Sequence, residues 1–297
     1  MYTFGPINSR RFGLSLGIDL SPNIKSCNYD CVYCELEGAK PTNIIPNPPL
    51  VEDIIKDLKD SLNLHPEVEV ITITSNGEPT LYKDLKLLVS ELNKIKEDKK
   101  ILILSNGSNV SDALLDIDIV KLSLDCATKK CFKKIDRPLK NLDLENIISN
   151  MISFSQKFKN TLVIEVLLVE GVNDKEDEIK KIDKLLHDIK PHRVDLGTID
   201  RPPAYQVRAV TQERLFELSK LFIDLPISII HKNPPKIKEK FSKEEILTVL
   251  SRRPQSQFDI DSFFSKSSKD YLDELIDEGR VEKVNIAGTI FFKKLSS

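Results

Sequence analysis

Leu14-Ser15-Leu16-Gly17-Ile18-Asp19-Leu20, then Ser21-Pro22-Asn23, then Cys27-Asn28-Tyr29-Asp30-Cys31-Val32-Tyr33-Cys34 is the stretch from which the fold is read. In the first run Leu14, Leu16, Ile18 and Leu20 alternate with small or polar residues, the period of a strand. Ser21-Pro22-Asn23 ends it, and three thiols spaced C-x3-C-x2-C follow at once. So short a spacing cannot bridge a core; it points three sulfurs at one small object from a single loop. Thiolates at close quarters suit zinc or an iron–sulfur cluster. A structural zinc wants four protein ligands, usually as two pairs, and this loop offers three. A cubane cluster on three thiolates keeps one iron open for a substrate or cofactor.

Outward from this loop, β and α periods alternate. Strand patterns fall at 68–74, 101–104, 120–124, 162–169 and 193–196, with helical spacing over 51–64, 81–95, 111–117, 144–158, 174–189 and 211–222. A further short strand is expected at 227–230. Strands alternating with helices imply a parallel sheet. With the first strand this makes six βα repeats, short of the eight that close a full barrel. The expected fold is therefore α/β: a partial (β/α)6 TIM-type barrel over 1–230, with a doubly wound sheet as second choice. Function in both sits at the C-terminal ends of the strands, where the cysteine loop lies. Residues 231–240 have linker composition, with prolines and like charges. In 241–297, three helical patterns and a hairpin around Asn285-Ile286-Ala287-Gly288 resemble a small winged-helix domain. That segment carries nine Lys/Arg and ten Asp/Glu. Its third helix bears Asp270, Asp273, Glu274, Asp277 and Glu278, which repel phosphate, so duplex DNA is a poor partner and a protein or peptide contact or a cap on the barrel the better one.

Composition narrows the class. The chain has 297 residues, 44 Lys+Arg against 46 Asp+Glu, and a formal net charge of -2, so no global field draws it to nucleic acid or membrane. No apolar run is long enough to cross a membrane, and Met1–Pro6 lacks a signal pattern. Five cysteines, three clustered, read as metal ligands in a reducing compartment, and the cytoplasm is the expected location. Cys126 and Cys131 are too few for a second cluster and are read as small buried hydrophobes.

The triplet, with an aromatic before its third cysteine, resembles the radical S-adenosylmethionine (radical SAM) superfamily. Gly5-Pro6, Ser9-Arg10-Arg11, Gly13 and Leu16-Gly17-Ile18 ahead of the triplet are similar to the Fe–S oxidoreductase group that includes the wyosine-base synthases. So are Ser123-Leu124-Asp125, Ile135-Asp136-Arg137-Pro138, Gly171-Val172-Asn173-Asp174 and Asp200-Arg201-Pro202-Pro203. The resemblance covers roughly residues 5 to 205. It implies an enzyme with a [4Fe-4S] cluster on Cys27, Cys31 and Cys34. S-adenosylmethionine on the open iron would be cleaved reductively to a 5′-deoxyadenosyl radical, which modifies a substrate, with a flavodoxin- or ferredoxin-like electron donor as partner. Asn76-Gly77-Glu78-Pro79 resembles the superfamily's Gly-Gly-Glu-Pro motif, with Asn76 for the first glycine, and implies that Gly77, Glu78 and Pro79 hold the methionine amino group. Asn106, Ser123 and Asp125 at strand ends would meet ribose hydroxyls and carboxylate, Asn173 the adenine, and Tyr33 the cluster or adenine. The wyosine synthases carry extra cysteines ahead of the triplet, and this chain has none before Cys27. Modification of a peptide, protein or small metabolite is accordingly ranked ahead of tRNA-base modification. A zinc-stabilised regulatory or binding protein is the alternative of another class.

Overall fold

The structure, a computed structural model, describes residues 1–9, 11–229, 238, 240–252, 254–286 and 289–295. Eight strands form one sheet in chain order: β1 (Thr3–Ser9), β2 (Gly13–Asp19), β3 (Val70–Thr74), β4 (Lys100–Ser105), β5 (Ile119–Ser123), β6 (Thr161–Leu168), β7 (Arg193–Thr198) and β8 (Ile227–Ile229). From β2 to β8 every pair is parallel; β1 alone is antiparallel to β2. Helices α1 (Val51–Leu64), α2 (Leu85–Ile95), α3 (Lys129–Ile135), α4 (Leu144–Lys157), α5 (Glu176–Ile189) and α6 (Gln212–Ser219) fall between strands. No helix among the described residues is long and apolar enough to cross a membrane.

The alternation along each strand sorts residues to two faces. Leu16, Ile18, Ile71, Ile73, Ile101, Ile103, Val120, Leu122, Ile164, Val166, Val194 and Leu196 join the main core with the apolar stripes of the helices, such as Leu85, Leu88 and Leu92 of α2. Burial of each such side chain stabilises by about 1.5–3 kcal/mol. The other face is different in kind: Ser15, Asp19, Thr72, Lys121 and Glu165 line a cavity. The sheet is curled around it. Arg11, in the turn between β1 and β2, pairs with Asp195 of β7 and donates to the Ser228 carbonyl of β8 at 3.2 Å. In a flat sheet β2 and β7 would stand about 24 Å apart, at about 4.8 Å per strand.

A second core, with Phe241, Ile246, Leu250, Ile260, Phe264, Leu272, Leu275, Val281 and Phe292, belongs to the C-terminal unit. Its elements run α7 (Lys243–Arg252), β9 (Gln255–Ser256), α8 (Gln257–Phe263), α9 (Lys266–Asp277), β10 (Val281–Ile286) and β11 (Thr289–Lys294), with sheet order β10-β11-β9. Glu245 closes on Ser242 and Asp259 on Ser256 as capping boxes.

The architecture departs from the sequence reading in four places. The first expected strand begins at Leu14, yet Thr3–Ser9 already form β1; Gly5-Pro6 and a register shift between Phe4 and Ile7 hide its alternation. The helix expected over 111–117 is a single 3-10 turn, Asp112–Leu114, which suffices to bury both Leu114 and Ile117. Helix α3 is an addition to the expected elements: only Cys131, Phe132 and Ile135 of its lysine-rich seven residues are buried. Helix α2 starts at Leu85 rather than 81, after a 3-10 turn at Pro79–Leu81. The linker at 231–240 and the hairpin turn at Ala287-Gly288 lie largely outside the described residues.

Candidate active site

The cysteine loop leaves β2 and is tied to neighbouring strand tips through its backbone. Ser26 N donates to Asn76 O at 2.8 Å and Glu78 N to Ser26 O at 2.9 Å, a one-residue bridge just past β3. Gly77 permits it: its φ is +139°, and a Cβ there would fall 2.0 Å from the Ser26 oxygen. On the other side Asp30 N and Val32 N donate to Asp136 O and Ile135 O at the end of α3, at 3.0 and 2.8 Å. Cys34 N closes onto Cys31 O at 3.1 Å, and Cys34 O accepts from Ala204 N at 2.8 Å. Such backbone ties hold a loop without using its side chains.

All three thiols are free and half-buried. Tyr29 N and Asn106 Nδ2 point at the Cys27 sulfur at 3.4 and 3.7 Å, and Lys25 Nζ lies 3.6 Å from the Cys34 sulfur. Cys31 faces Asp136 Oδ1 at 3.5 Å. Burial, then the Glu78 charge, pushes the Cys27 thiol up to about 12; burial likewise raises Cys31 and Cys34. A cation must supply the charge that makes these thiolates, as metal binding does. A tetrahedral zinc with Zn–S bonds of about 2.3 Å holds its sulfurs about 3.8 Å apart. Among the described residues, the set with ligating atoms all within 4.8 Å is Cys126, Cys131 and Glu178, and the triplet is not such a set. Three free thiols from one loop match the donor set of a cluster that keeps one iron open.

Around the triplet, the structure brings together Tyr33, Asn106, Ser123 and Asp125, which line one small cavity of about 20 Å³ with Asp136. Tyr33 Oη donates to Asp125 Oδ2 at 2.5 Å and Leu167 N to Asp125 Oδ1 at 2.7 Å. Asn106 Nδ2 donates to Asn28 Oδ1 at 2.8 Å. Burial raises Asp125 to about 7, with the two hydrogen bonds opposing; burial and the neighbouring Asp125 also raise Asp136 well above its ordinary value.

The remaining expected residues lie outside that cavity's lining but are bonded to residues that form it. Glu78 is 1 % exposed, and both oxygens are occupied inside the chain: Thr80 N, Thr80 Oγ1 and Ser105 Oγ donate to one, Asn106 N to the other. It braces the tips of β3 and β4, which leaves the Gly77 and Pro79 backbone as the part of the motif not committed by that carboxylate. Asn173 is fully buried and spends its side chain on the backbone: Nδ2 donates to Asp125 O and Leu167 O, and Oδ1 accepts from Val169 N. Cys126 and Cys131 are buried as expected, yet they form a disulfide rather than two lone thiols. They flank the N-terminus of α3, where the turn through Thr128 brings their Cα atoms to 5.6 Å.

Three participants are not among the residues expected from the sequence: Asn28, Lys25 and Asp136. The signal for Asn28 and Lys25 is proximity to the triplet; Asp136 carries none beyond its place in a matched tetrapeptide.

Residues 24–182 match a family model described as the Radical SAM superfamily. The chain belongs to that superfamily, a class of enzymes that uses a [4Fe-4S] cluster and S-adenosylmethionine. Over 97 % of its length it is similar to the UPF0026 protein of Helicobacter pylori (strain J99), at 38 % identity and covering 96 % of that protein. Among solved structures it resembles a radical SAM methyltransferase from Sphaerobacter thermophilus, with TM-score 0.57 and 14 % identity over 73 % of this chain and 66 % of that one. It also resembles Streptococcus suis SuiB bound to S-adenosylmethionine, with TM-score 0.54 and 16 % identity over 71 % of this chain and 49 % of that one. At these identities the likeness is one of fold.

Proposed function

We propose that Cys27, Cys31 and Cys34 hold the [4Fe-4S] cluster and that the chain cleaves S-adenosylmethionine reductively to modify a substrate in the curled sheet. The cluster and S-adenosylmethionine supply a 5′-deoxyadenosyl radical able to abstract hydrogen. The chain's own residues do the positioning. Tyr29 N–H, Asn106 and Lys25 face sulfur and stabilise thiolate charge. The Gly77-Glu78-Pro79 backbone, set in place by the Glu78 brace, would hold the methionine amino group. Asn106 and Ser123, at the tips of β4 and β5, would offer polar groups to the cofactor and Tyr33 its ring, with the Tyr33 hydroxyl fixed by Asp125. Asn173 acts one layer back, by holding the Asp125 carbonyl and the end of β6. The electron comes from a flavodoxin- or ferredoxin-like donor.

The C-terminal unit acts as a cap, since α9 presents Asp270, Asp273, Glu274, Asp277 and Glu278 and gains nothing from phosphate. The observation that carries the reading is the three free thiols of the loop after β2, with Asn106, Ser123, Tyr33 and Asp125 lining one cavity beside them. Cys31→Ala, purified anaerobically and reduced, should lose its iron and form no 5′-deoxyadenosine. Cleavage at the wild-type rate would remove the ligand assignment.

A further inference from the structure

The concave face of the sheet holds a partly open cavity of about 330 Å³, near the lower end of the range for small-molecule sites. Arg11 and Phe12 of the first hairpin close it from below. From above it is lined by Glu35 and Leu36, next to Cys34, and by Gln255, Asp259 and Phe263 of the C-terminal unit. That roof is pinned. Arg201, 8 % exposed, donates to Pro254 O and lies 3.4 Å from Asp259 and 3.2 Å from Glu35. One guanidinium thus ties the residue after Cys34 to the C-terminal unit.

A few polar groups stand on walls that are otherwise largely apolar. Lys121 donates to Glu165 Oε1 at 2.6 Å, and its second acid, Asp195, lies 3.6 Å away. Glu165 keeps a second oxygen, and its side chain is 32 % exposed, on the cavity. Ser75 Oγ, at the exit of β3, is buried and has no hydrogen-bond partner among the described residues, although its side chain lines the same cavity. Buried hydroxyls are rarely left unpaired, and each exception asks for a ligand or an ordered water. The Lys121 charge is already matched by Glu165. A guest beside this pair needs a group that accepts from an ammonium and donates to a carboxylate.

We infer that the substrate is a small polar molecule, bearing a hydroxyl or carboxamide, held between the Lys121–Glu165 pair, Ser75 and the roof residues Gln255 and Phe263. This rests on the radical reading above and names the substrate class for it. A folded RNA or protein substrate would require the roof to lift off its Arg201 clamp, whereas a small molecule uses the cavity as built.

The test uses the reduced holoenzyme with S-adenosylmethionine and two fractions of one cell extract: a low-mass ultrafiltrate and the retained macromolecules. The filtrate should raise 5′-deoxyadenosine formation severalfold, and the retained fraction should not. Stimulation by the retained fraction, or by neither fraction, overturns the inference. No 5′-deoxyadenosine in any arm, with the cluster present, counts against the proposed function instead. Ser75→Ala removes an oxygen that no described protein group uses. It should raise the filtrate concentration for half-maximal stimulation about fivefold, the factor of one lost hydrogen bond. No change, or a shift confined to the dependence on S-adenosylmethionine, overturns the role of Ser75 as a substrate contact.

Discussion

Asp125 is a carboxyl group in a place that penalises its charge. It is 3 % exposed, and burial raises it to about 7 against an ordinary 3.8. The sign follows directly. Between these values the folded chain binds a proton that the unfolded chain has released, so stability falls as pH rises from about 4 through about 7. Asp125→Asn removes the charge and can still accept from Leu167 N. Thermal unfolding of the metal-free chain should show the Asp125→Asn variant gaining on the wild type as pH rises from 5 to 8, by on the order of a few kcal/mol at most. A pH-independent difference would contradict the assignment. At this scale the sequence is a partial guide. Tyr33, Asn106, Ser123 and Asp125 are legible because each stands at a strand end or in the cysteine loop. Asp136 is not, because its nearness to Cys31 arises only when α3 folds back against the loop. Glu78 is legible as a motif residue, but nothing in four letters tells that its oxygens turn inward to Thr80, Ser105 and Asn106.

The cysteine loop is held as an element by two neighbours, β3 and α3. Its tie to β3 passes through Gly77, where φ is +139° and any Cβ would meet the Ser26 carbonyl. Gly77→Ala should cost about 2–4 kcal/mol, from backbone strain together with a broken buried tie. Iron retained per chain should fall with it; denaturant midpoints and metal content check the two parts. Unchanged stability would show that the Ser26–Gly77 bridge is dispensable. The tie to α3 is invisible in the sequence, since that helix buries only three of seven residues and its lysines mask the period. The parallel strands are readable because both faces demand order: apolar residues toward the helices, and a second set that varies. Lys121 and Glu165 belong to that second set. A charge mid-strand in a parallel sheet is tolerated only where the sheet encloses a polar space, and that is an unused signal for the cavity.

Over the whole molecule, the curled sheet and the C-terminal unit together line one partly open cavity. Six βα repeats can be counted from the periods, but the curl depends on Arg11 reaching β7 and β8, a contact between segments far apart in the chain. The clamp at Arg201 is of the same kind. Arg201→Met keeps the stem and removes the donors to Pro254 O and Asp259. Amide hydrogen exchange across 254–264 should then quicken about tenfold or more, while α4 keeps its protection. Equal exchange in both chains would mean the roof is seated by apolar contact alone. The account as a whole turns on what the triplet binds, and metal analysis of the anaerobically purified chain tests that most directly. It predicts iron and acid-labile sulfide in equal amounts, with 5′-deoxyadenosine formed on reduction in the presence of S-adenosylmethionine. One zinc per chain, with neither iron nor sulfide, would contradict it.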